Sequence, residues 1–337
     1  MRIDDFDYGL PADAIAQLAI EPRHDSRVLV ASDLEEISFH RIASLFRRGD
    51  LLVVNRTRVR AARIIGSRVP SGGRTEILLA KRVDLHRWEA LVRPARRLRV
   101  GTIIDCADIA VELLSDPVEG VATVSLTSTG DIEDAIAQAG EIPLPPYFHG
   151  SLDSPDRYQT LFATKIGSSA APTAALHFTD EVVRGLAQKG VGIAEVELEV
   201  GLDTFRSMGD GLVEDHVIHS ERVVVDAAAI AAVDRARATG GKVIAVGSTV
   251  VRTLESAAID DGRIGSYDGE TDLFITPGYA FSVVDAVLTN FHAPRTTLIV
   301  MIAAMLGERW RDVYNHALEE GFRFLSFGDA MYIEIQR

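Results

Sequence analysis

The sequence predicts an α/β fold: a largely parallel sheet with helices, interrupted by a small antiparallel barrel or sandwich. Three observations carry this. Beyond residue 150 helical and strand patterns alternate, as they do in parallel sheets joined by crossover helices. Between about 60 and 149 the chain turns to short runs of Val, Ile, Leu and Thr separated by Gly, Pro, Ser and Asp, the spacing of a small all-β unit. Residues 1–59 and 150–337 share one texture, so 60–149 reads as an insertion in a discontinuous domain.

The elements follow in order. Pro11 opens a short amphipathic helix over 11–17. The run 51–55 follows a Gly-Asp turn and reads as a short buried strand. Strands near 74–80, 87–93, 102–105, 109–114 and 121–127 build the all-β part, and 131–139 closes it as a helix capped by Asp131. The proline-rich Ile142-Pro-Leu-Pro-Pro-Tyr147 blocks helix and stiffens an extended link, which marks a domain boundary. Thr179 caps a helix through 188, with Asp180 and Glu181 at its positive end. A strand over 191–200 follows, then a helix from its cap Asp226 to about 238. A strand over 242–246 and a helix over 248–258 come next. Strands near 271–275 and 283–288 and helices near 296–305 and 309–319 complete the chain.

A chain of 337 residues, 47% hydrophobic and 25% charged, is long enough for a substantial core and unlike a disordered or low-complexity sequence. Its single cysteine, Cys106, excludes an internal disulfide and a cysteine metal cage and fits a reducing compartment. The first residues lack the basic start and apolar stretch of a signal peptide. The longest apolar run, 298–306, is too short to cross a bilayer. A soluble, cytoplasmic protein without a membrane partner is expected.

The net charge of −14 is unevenly spread. Residues 41–99 hold 16 Lys+Arg against 4 Asp+Glu, a net of +12, which leaves −26 on the rest. Two clusters dominate: Arg56, Arg58, Arg60, Arg63 and Arg68, then Arg93, Arg96, Arg97 and Arg99. They form either a polyanion-binding face or a solvated face balancing acidic neighbours.

Four groups of residues can carry chemistry. In Ala170-Ala-Pro-Thr-Ala-Ala-Leu-His-Phe178, small residues leave the backbone accessible, and Pro172, Thr173 and His177 offer a fixed turn, a hydroxyl and an imidazole suited to acid/base work. A structural histidine is the alternative. His216-Val-Ile-His219-Ser-Glu221 is compatible with acid/base or polar substrate contact, with structural hydrogen bonding, and least well with a metal, because the spacing is loose. Val243-Ile-Ala-Val-Gly-Ser-Thr249 reads strand, glycine turn, helix. The helix start with Ser248 and Thr249 suits a carboxylate or phosphate. Arg252 and Glu255 share a helix face and can hold a zwitterion or merely pair with each other. No Walker or dinucleotide glycine motif is present. Finally, Asn55-Arg-Thr-Arg58, Thr289-Asn-Phe-His292 and Phe327-Gly-Asp-Ala330 place polar residues at the ends of buried runs, where α/β sheets bind ligands. The alternating Glu195-Val-Glu-Leu-Glu-Val200 reads as a strand with a solvated acidic face.

Together these blocks resemble the S-adenosylmethionine:tRNA ribosyltransferase-isomerase family of queuosine biosynthesis. The resemblance runs nearly end to end. It includes Asp5-Phe-Asp-Tyr-Gly-Leu-Pro11, Gly49-Asp-Leu-Leu-Val-Val-Asn55, Trp88-Glu-Ala-Leu-Val-Arg-Pro94, Ile142-Pro-Leu-Pro-Pro-Tyr147 and Arg157-Tyr-Gln-Thr160. It continues through Ala171-Pro-Thr173, Leu176-His-Phe178, Val251-Arg-Thr-Leu-Glu-Ser256, Leu288-Thr-Asn-Phe-His292 and Phe324-Leu-Ser-Phe-Gly-Asp-Ala-Met331. It implies a mixed, largely parallel α/β domain with an inserted small antiparallel β-barrel. It also implies transfer and isomerisation of the ribosyl group of S-adenosylmethionine onto 7-aminomethyl-7-deazaguanine at the tRNA wobble position. The products are then epoxyqueuosine-tRNA, adenine and methionine. A paralogue acting on another 7-deazapurine and a non-enzymatic RNA-binding protein are the alternatives.

That chemistry needs a base for the proton beside the sulfonium and an acid for departing adenine. His177 and His219 are the expected pair, with Glu221 orienting His219. Ser248, Thr249 and Arg252 are expected to hold the methionine carboxylate, and Glu255 its ammonium or a ribose hydroxyl. Asn55, Thr57, Arg58, Pro172, Thr173, Asn290 and Asp329 are expected to line the substrate site. Arg93, Arg96, Arg97 and Arg99 are expected to grip tRNA. No metal or cofactor is expected, S-adenosylmethionine being consumed, and a monomer is expected. The chain departs from the family pattern at Arg56, where an Asp is usual, at Glu199 for a His, at Asp203 for a Gly and at Ala175 for a Gly. The resemblance puts Arg56 near the pocket.

Overall fold

The computed structural model describes residues 1–150, 152, 154–201, 207–260 and 262–335. Its principal elements, in chain order, begin with β1 (Arg27–Val30), β2 (Glu35–Ser38) and β3 (Leu51–Asn55). Then come β4 (Arg63–Val69), β5 (Arg74–Arg82), β6 (Arg87–Arg93), β7 (Ile103–Cys106), β8 (Ile109–Leu113), β9 (Val121–Ser128) and α1 (Ile132–Ala139). After these follow α2 (Asp180–Lys189), β10 (Gly192–Leu198), β11 (Glu221–Val225), α3 (Ala227–Ala238), β12 (Val243–Val246) and α4 (Ser248–Ser256). The chain ends with β13 (Tyr267–Thr271), β14 (Ala286–Asn290), α5 (Thr297–Leu306), α6 (Trp310–Glu319) and β15 (Ala330–Glu334).

The chain divides into two compact units. One comprises Met1–Arg58, Pro145–Lys165 and Ala171–Arg337; the other comprises Val59–Leu144 and Ile166–Ala170.

The first unit holds a nine-stranded mixed sheet in the order β13-β11-β10-β3-β12-β14-β15-β1-β2. Its centre, β10-β3-β12-β14, is parallel, and β1 runs parallel to β15. The other pairings are antiparallel. Every residue of β3, β12 and β14 is buried. That explains why these strands read as continuous apolar runs instead of alternating ones. On one face Leu52, Val54, Ile244, Val246 and Leu288 pack with Phe39, Ile42, Val182 and Leu186.

The second unit is a closed barrel. β4 pairs with β5, β5 with β6, β6 with β9, β9 with β8, β8 with β7, and β7 returns to β4. Closure leaves no exposed edge in this ring. Where β4 meets β7, any side chain at Gly66 would collide with Cys106 Sγ, so the closure requires glycine. The helix α1 is capped as expected, Asp131 accepting from the Glu133 and Asp134 N–H groups.

Several local expectations are corrected. Residues 11–17 are not an α-helix. Only Ala12–Ala14 forms a 3-10 turn, because the backbone then pairs with Phe324 through Phe324 N–H to Ala14 O (2.8 Å) and Ala16 N–H to Phe324 O (3.2 Å). The strand expected at 271–275 lies at Tyr267–Thr271. The strand expected at 283–288 begins only at Ala286, because the Val283 and Val284 N–H groups donate to the Glu255 carboxylate instead of a ladder. Thr179 is the N-cap residue of α2 as expected, but its hydroxyl bonds no helix N–H and meets His24 Nδ1 at 2.7 Å instead. Asp226 does cap α3.

Candidate functional site

The sheet order assembles a rim. Strands β3, β12 and β14 are parallel, so Asn55, Gly247 and residues 290–293 emerge at one end. The antiparallel β15 starts beside that end, with Ala330 opposite Asn290. The segment 325–329 therefore joins the rim. β1 is parallel to β15, which brings its entry, residues 23–27, there too. Ligands of open α/β sheets bind in the crevice outside the carboxyl ends of such strands.

A cleft of about 760 Å³ opens at this rim. Its walls include Pro172, Thr173, Ser248, Thr249, Asn290, Phe291, His292, Leu325 and Ser326. Five of the expected substrate residues, from three distant segments, thus meet. Gly247 turns the chain from β12 into α4 with φ +92, a conformation L side chains avoid. The first turn of α4 then faces the cleft. The Thr249 hydroxyl is buried there with no hydrogen-bond partner among the described residues. An unpaired buried hydroxyl costs about 1–3 kcal/mol; next to the unpaired N–H groups of a helix start it is a receptor for a polar ligand.

Asn290 is the hub of the polar wall. Its Oδ1 accepts from the Thr173 hydroxyl at 2.9 Å, and its Nδ2 donates to His177 Nε2 at 3.2 Å. On the other side His177 Nδ1 meets Ser26 Oγ at 2.8 Å, and Ser26 passes its own proton to the Arg23 carbonyl at 3.1 Å. This chain assigns the proton of His177 to Nδ1. The ring stacks on Phe39, centroids 4.9 Å apart. Burial lowers its pKa to about 4, with the Arg323 and Arg23 charges adding to the shift and Asp329 opposing it. His177 is therefore neutral at pH 7, with its proton on Nδ1 and its Nε2 lone pair taken by Asn290. It borders a second, smaller cleft. His292, which the sequence left as a weak signal, is also buried, with a pKa lowered to about 4. Its Nε2 meets Thr289 Oγ1 at 3.2 Å.

Other expected site residues are committed elsewhere. The Asn55 amide bridges strand ends, donating to Leu198 O (2.9 Å) and accepting from Thr57 N–H (3.1 Å); Thr57 Oγ1 also donates to Leu198 O (3.2 Å). Arg58 pairs with Asp156 at 3.1 Å. Asp329 is buried, accepting from the Arg27 and Arg323 N–H groups at 3.0 and 2.9 Å. Arg252 pairs with Glu221 and also donates to the Leu273 and Thr271 carbonyls. Glu255 accepts from Ser282, Val283 and Val284 N–H (2.9, 3.0 and 2.9 Å) and from the Tyr279 hydroxyl (3.3 Å). The expected Arg252–Glu255 zwitterion clamp is corrected: both are held within the fold. The Glu221 carboxylate goes to Arg252 and to Gly201 N–H (2.8 Å), and His219 is exposed and does not line the cleft.

The acidic strand face is likewise corrected. Glu197 is buried, receiving Arg56 Nε and Nη2 at 2.9 and 2.6 Å. Glu195 and Asp226 lie 3.8 and 3.5 Å from the same guanidinium. Arg56 thus points to an acidic cluster and is not among the cleft residues. Glu199 donates its backbone N–H to Arg222 O, Ala175 is buried in a 3-10 turn, and Asp203 lies outside the described residues.

The basic segment splits in two. Arg60 pairs with Glu133 (2.9 Å) and Arg63 with Glu76 and Glu141 (3.2 and 3.0 Å). Arg93, Arg96, Arg97 and Arg99 are exposed around one turn of the barrel. Elsewhere His24, His40 and Glu181 lie close enough to share a divalent ion, with Nε2 to carboxylate distances of 3.9 and 3.7 Å. Tyr147 and Ser326, which carried no separate signal, face the cleft with hydroxyls 2.5 Å apart.

The family model for queuosine biosynthesis protein matches residues 3–333. The S-adenosylmethionine:tRNA ribosyltransferase-isomerase of Desulfitobacterium hafniense is 43% identical over 340 residues, covering 99% of this chain and all of the relative. That of Symbiobacterium thermophilum is 44% identical with the same coverage. The crystal structure of S-adenosylmethionine tRNA ribosyltransferase from Thermotoga maritima is similar at 32% identity and TM-score 0.56, covering 98% of this chain and 99% of that one.

Proposed function

The chain belongs to the queuosine biosynthesis protein family, and we propose that it carries out the reaction for which its relatives are named, as an S-adenosylmethionine:tRNA ribosyltransferase-isomerase. It transfers and isomerises the ribosyl group of S-adenosylmethionine onto 7-aminomethyl-7-deazaguanine at the tRNA wobble position. Epoxyqueuosine-tRNA, adenine and methionine leave.

The observation that carries the reading is the cleft at the start of α4, with the unpartnered, buried Thr249 hydroxyl in its wall. The cleft's place at the carboxyl ends of the strands and its mixed apolar and polar wall suit a nucleoside-type ligand. Ser248, Thr249 and the first N–H groups of α4 bind a polar or anionic group of S-adenosylmethionine. Pro172, Phe291 and Leu325 offer apolar wall to a ring. Asn290, held by His177 and Thr173, orients the substrate's polar edge. His177, neutral and desolvated, borders the second cleft and positions Asn290 through Nε2; His219 is exposed and is not among the residues lining the cleft. The exposed Arg93, Arg96, Arg97 and Arg99 contact tRNA phosphates. S-adenosylmethionine is consumed and no further cofactor is used. A monomer is the proposed working unit, and tRNA as substrate favours a cytoplasmic location. No helix of the described residues is long and apolar enough to cross a membrane.

The test is incubation with S-adenosylmethionine and tRNA carrying the precursor base, followed by mass spectrometry of the nucleosides. Epoxyqueuosine with stoichiometric adenine is expected. Saturable S-adenosylmethionine binding without epoxyqueuosine would shift the reading to another 7-deazapurine acceptor. Absence of binding would leave a non-enzymatic RNA-binding protein. His177→Ala removes the acceptor that holds Asn290 Nδ2 and is expected to slow adenine release about tenfold; a near wild-type rate contradicts the positioning role.

A further inference from the structure

A second, narrow cleft at the rim is lined by Arg23, Arg157 and Arg323 together with Ser26, His177 and Ser326. The arginines arrive from three segments: the turn before β1, the 3-10 turn Pro155–Tyr158, and the link between α6 and β15. Ser326 also lines the larger cleft, so the two share a wall. The Asn290–His177 bond crosses the same partition.

We propose that this cleft is an oxyanion subsite of the reaction, taking a carboxylate or a phosphodiester on the three guanidinium groups. The proposal rests on the function proposed above. Planar guanidinium forks match both groups bidentately, and their charge stays fixed at any working pH.

Each arginine keeps donors beyond its present partners. Arg23 spends Nη1 and Nη2 on the Gln159 and Asp156 carbonyls (2.8 and 2.9 Å), which are neutral acceptors. Arg323 donates to Leu18 O at 3.1 Å and reaches Asp329 at 3.4 Å. Arg157 pairs with Glu21, whose side chain is exposed and can swing into solvent. Burial lowers the pKa of both Arg23 and Arg157, and for Arg23 it outweighs the nearby Asp156 carboxylate. Three guanidinium groups converging on one cleft, two of them weakened by burial, mark a place where an anion can replace an exposed partner such as Glu21. His177, kept neutral, adds no competing proton equilibrium at pH 7.

Two sources offer this chemistry: the carboxylate of S-adenosylmethionine reaching past Ser326, or a tRNA phosphate beside the modified nucleotide. The experiment uses wild type, Arg157→Gln and the charge-preserving Arg157→Lys. Inorganic sulfate is titrated by calorimetry at constant ionic strength, and KM is measured separately for S-adenosylmethionine and for tRNA. Saturable sulfate binding is expected in wild type, at least about tenfold weaker in Arg157→Gln and partly restored in Arg157→Lys. A rise of about tenfold in the KM for S-adenosylmethionine alone assigns the carboxylate. A rise in the KM for tRNA alone assigns the phosphate. Equal sulfate affinity in wild type and Arg157→Gln, or no saturable sulfate binding in wild type, overturns the oxyanion site. Two unchanged KM values remove it from the reaction. Arg23→Gln repeats the test should Arg157→Gln fail to fold. An inactive wild type would count against the proposed function, while the sulfate titration would still decide the subsite.

Discussion

In the first turn of α4, Ser248 and Thr249 face a cleft, and the Thr249 hydroxyl is buried without a partner among the described residues. One turn further on, Arg252 and Glu255 are more strongly polar, yet the fold itself absorbs them. Arg252 meets Glu221 and two carbonyls, and Glu255 gathers three backbone N–H groups and a tyrosine hydroxyl. The contrast teaches that charge alone does not mark a binding residue. Within α4, the group left unsatisfied by its own fold is the one that faces the cleft.

The largest effect that tests this contrast is on the saturated side. His177 and His292 are buried and satisfied as neutral rings, each with a folded pKa of about 4 against an ordinary 6.5. A depressed histidine stabilises the fold fully above about pH 6.5, and that contribution is lost as pH falls toward 4. Roughly 3 kcal/mol for each is then at stake. Urea unfolding from pH 8 to pH 4 should show stability falling through this window, and His177→Asn should flatten part of the fall. An unchanged profile would mean the rings are not held neutral.

Next comes Glu255→Ala. Removing a buried carboxylate that holds three N–H groups is expected to cost about 3 kcal/mol in urea unfolding, with the KM for S-adenosylmethionine little changed in the folded fraction. Unchanged stability with a raised KM would erase the distinction between the two turns. A smaller effect separates the arginines. Serine at Arg93, Arg96, Arg97 and Arg99 together should lower tRNA affinity and reduce the salt slope, by up to about 0.7–0.9 for each phosphate contact removed. Arg56→Ala, which removes the cation facing Glu195, Glu197 and Asp226, should not alter the slope. Equal slopes in both variants would contradict the division of the basic segment.

Much of the fold was legible because its determinants are local. Asp131 and Asp226 cap their helices from their own sequence neighbourhoods, and the buried run 51–55 announces β3. What the sequence hid was set at a distance. β1 is four residues long and depends on pairing with β15, some 300 positions away. The start of β14 is displaced because Glu255 takes two N–H groups that would otherwise extend a ladder. The same division holds at the site. Thr173, Ser248, Thr249 and Asn290 were readable from strand ends and a glycine turn. The fates of Asn55, Arg252, Glu255 and Asp329 were not, since each has at least one partner far along the chain. Arg23 and Arg323 gave no periodic or motif signal, because three separate turns bring them to Arg157.

The central claim is that the first turn of α4 is left open for S-adenosylmethionine. Thr249→Val tests it most directly, because the swap keeps the shape and deletes only the unpartnered hydroxyl. Calorimetric titration with S-adenosylmethionine, paired with thermal unfolding of the free protein, should give binding weaker by about tenfold and a stability unchanged or slightly raised. Unchanged affinity, or a loss of stability without a loss of affinity, would contradict the account.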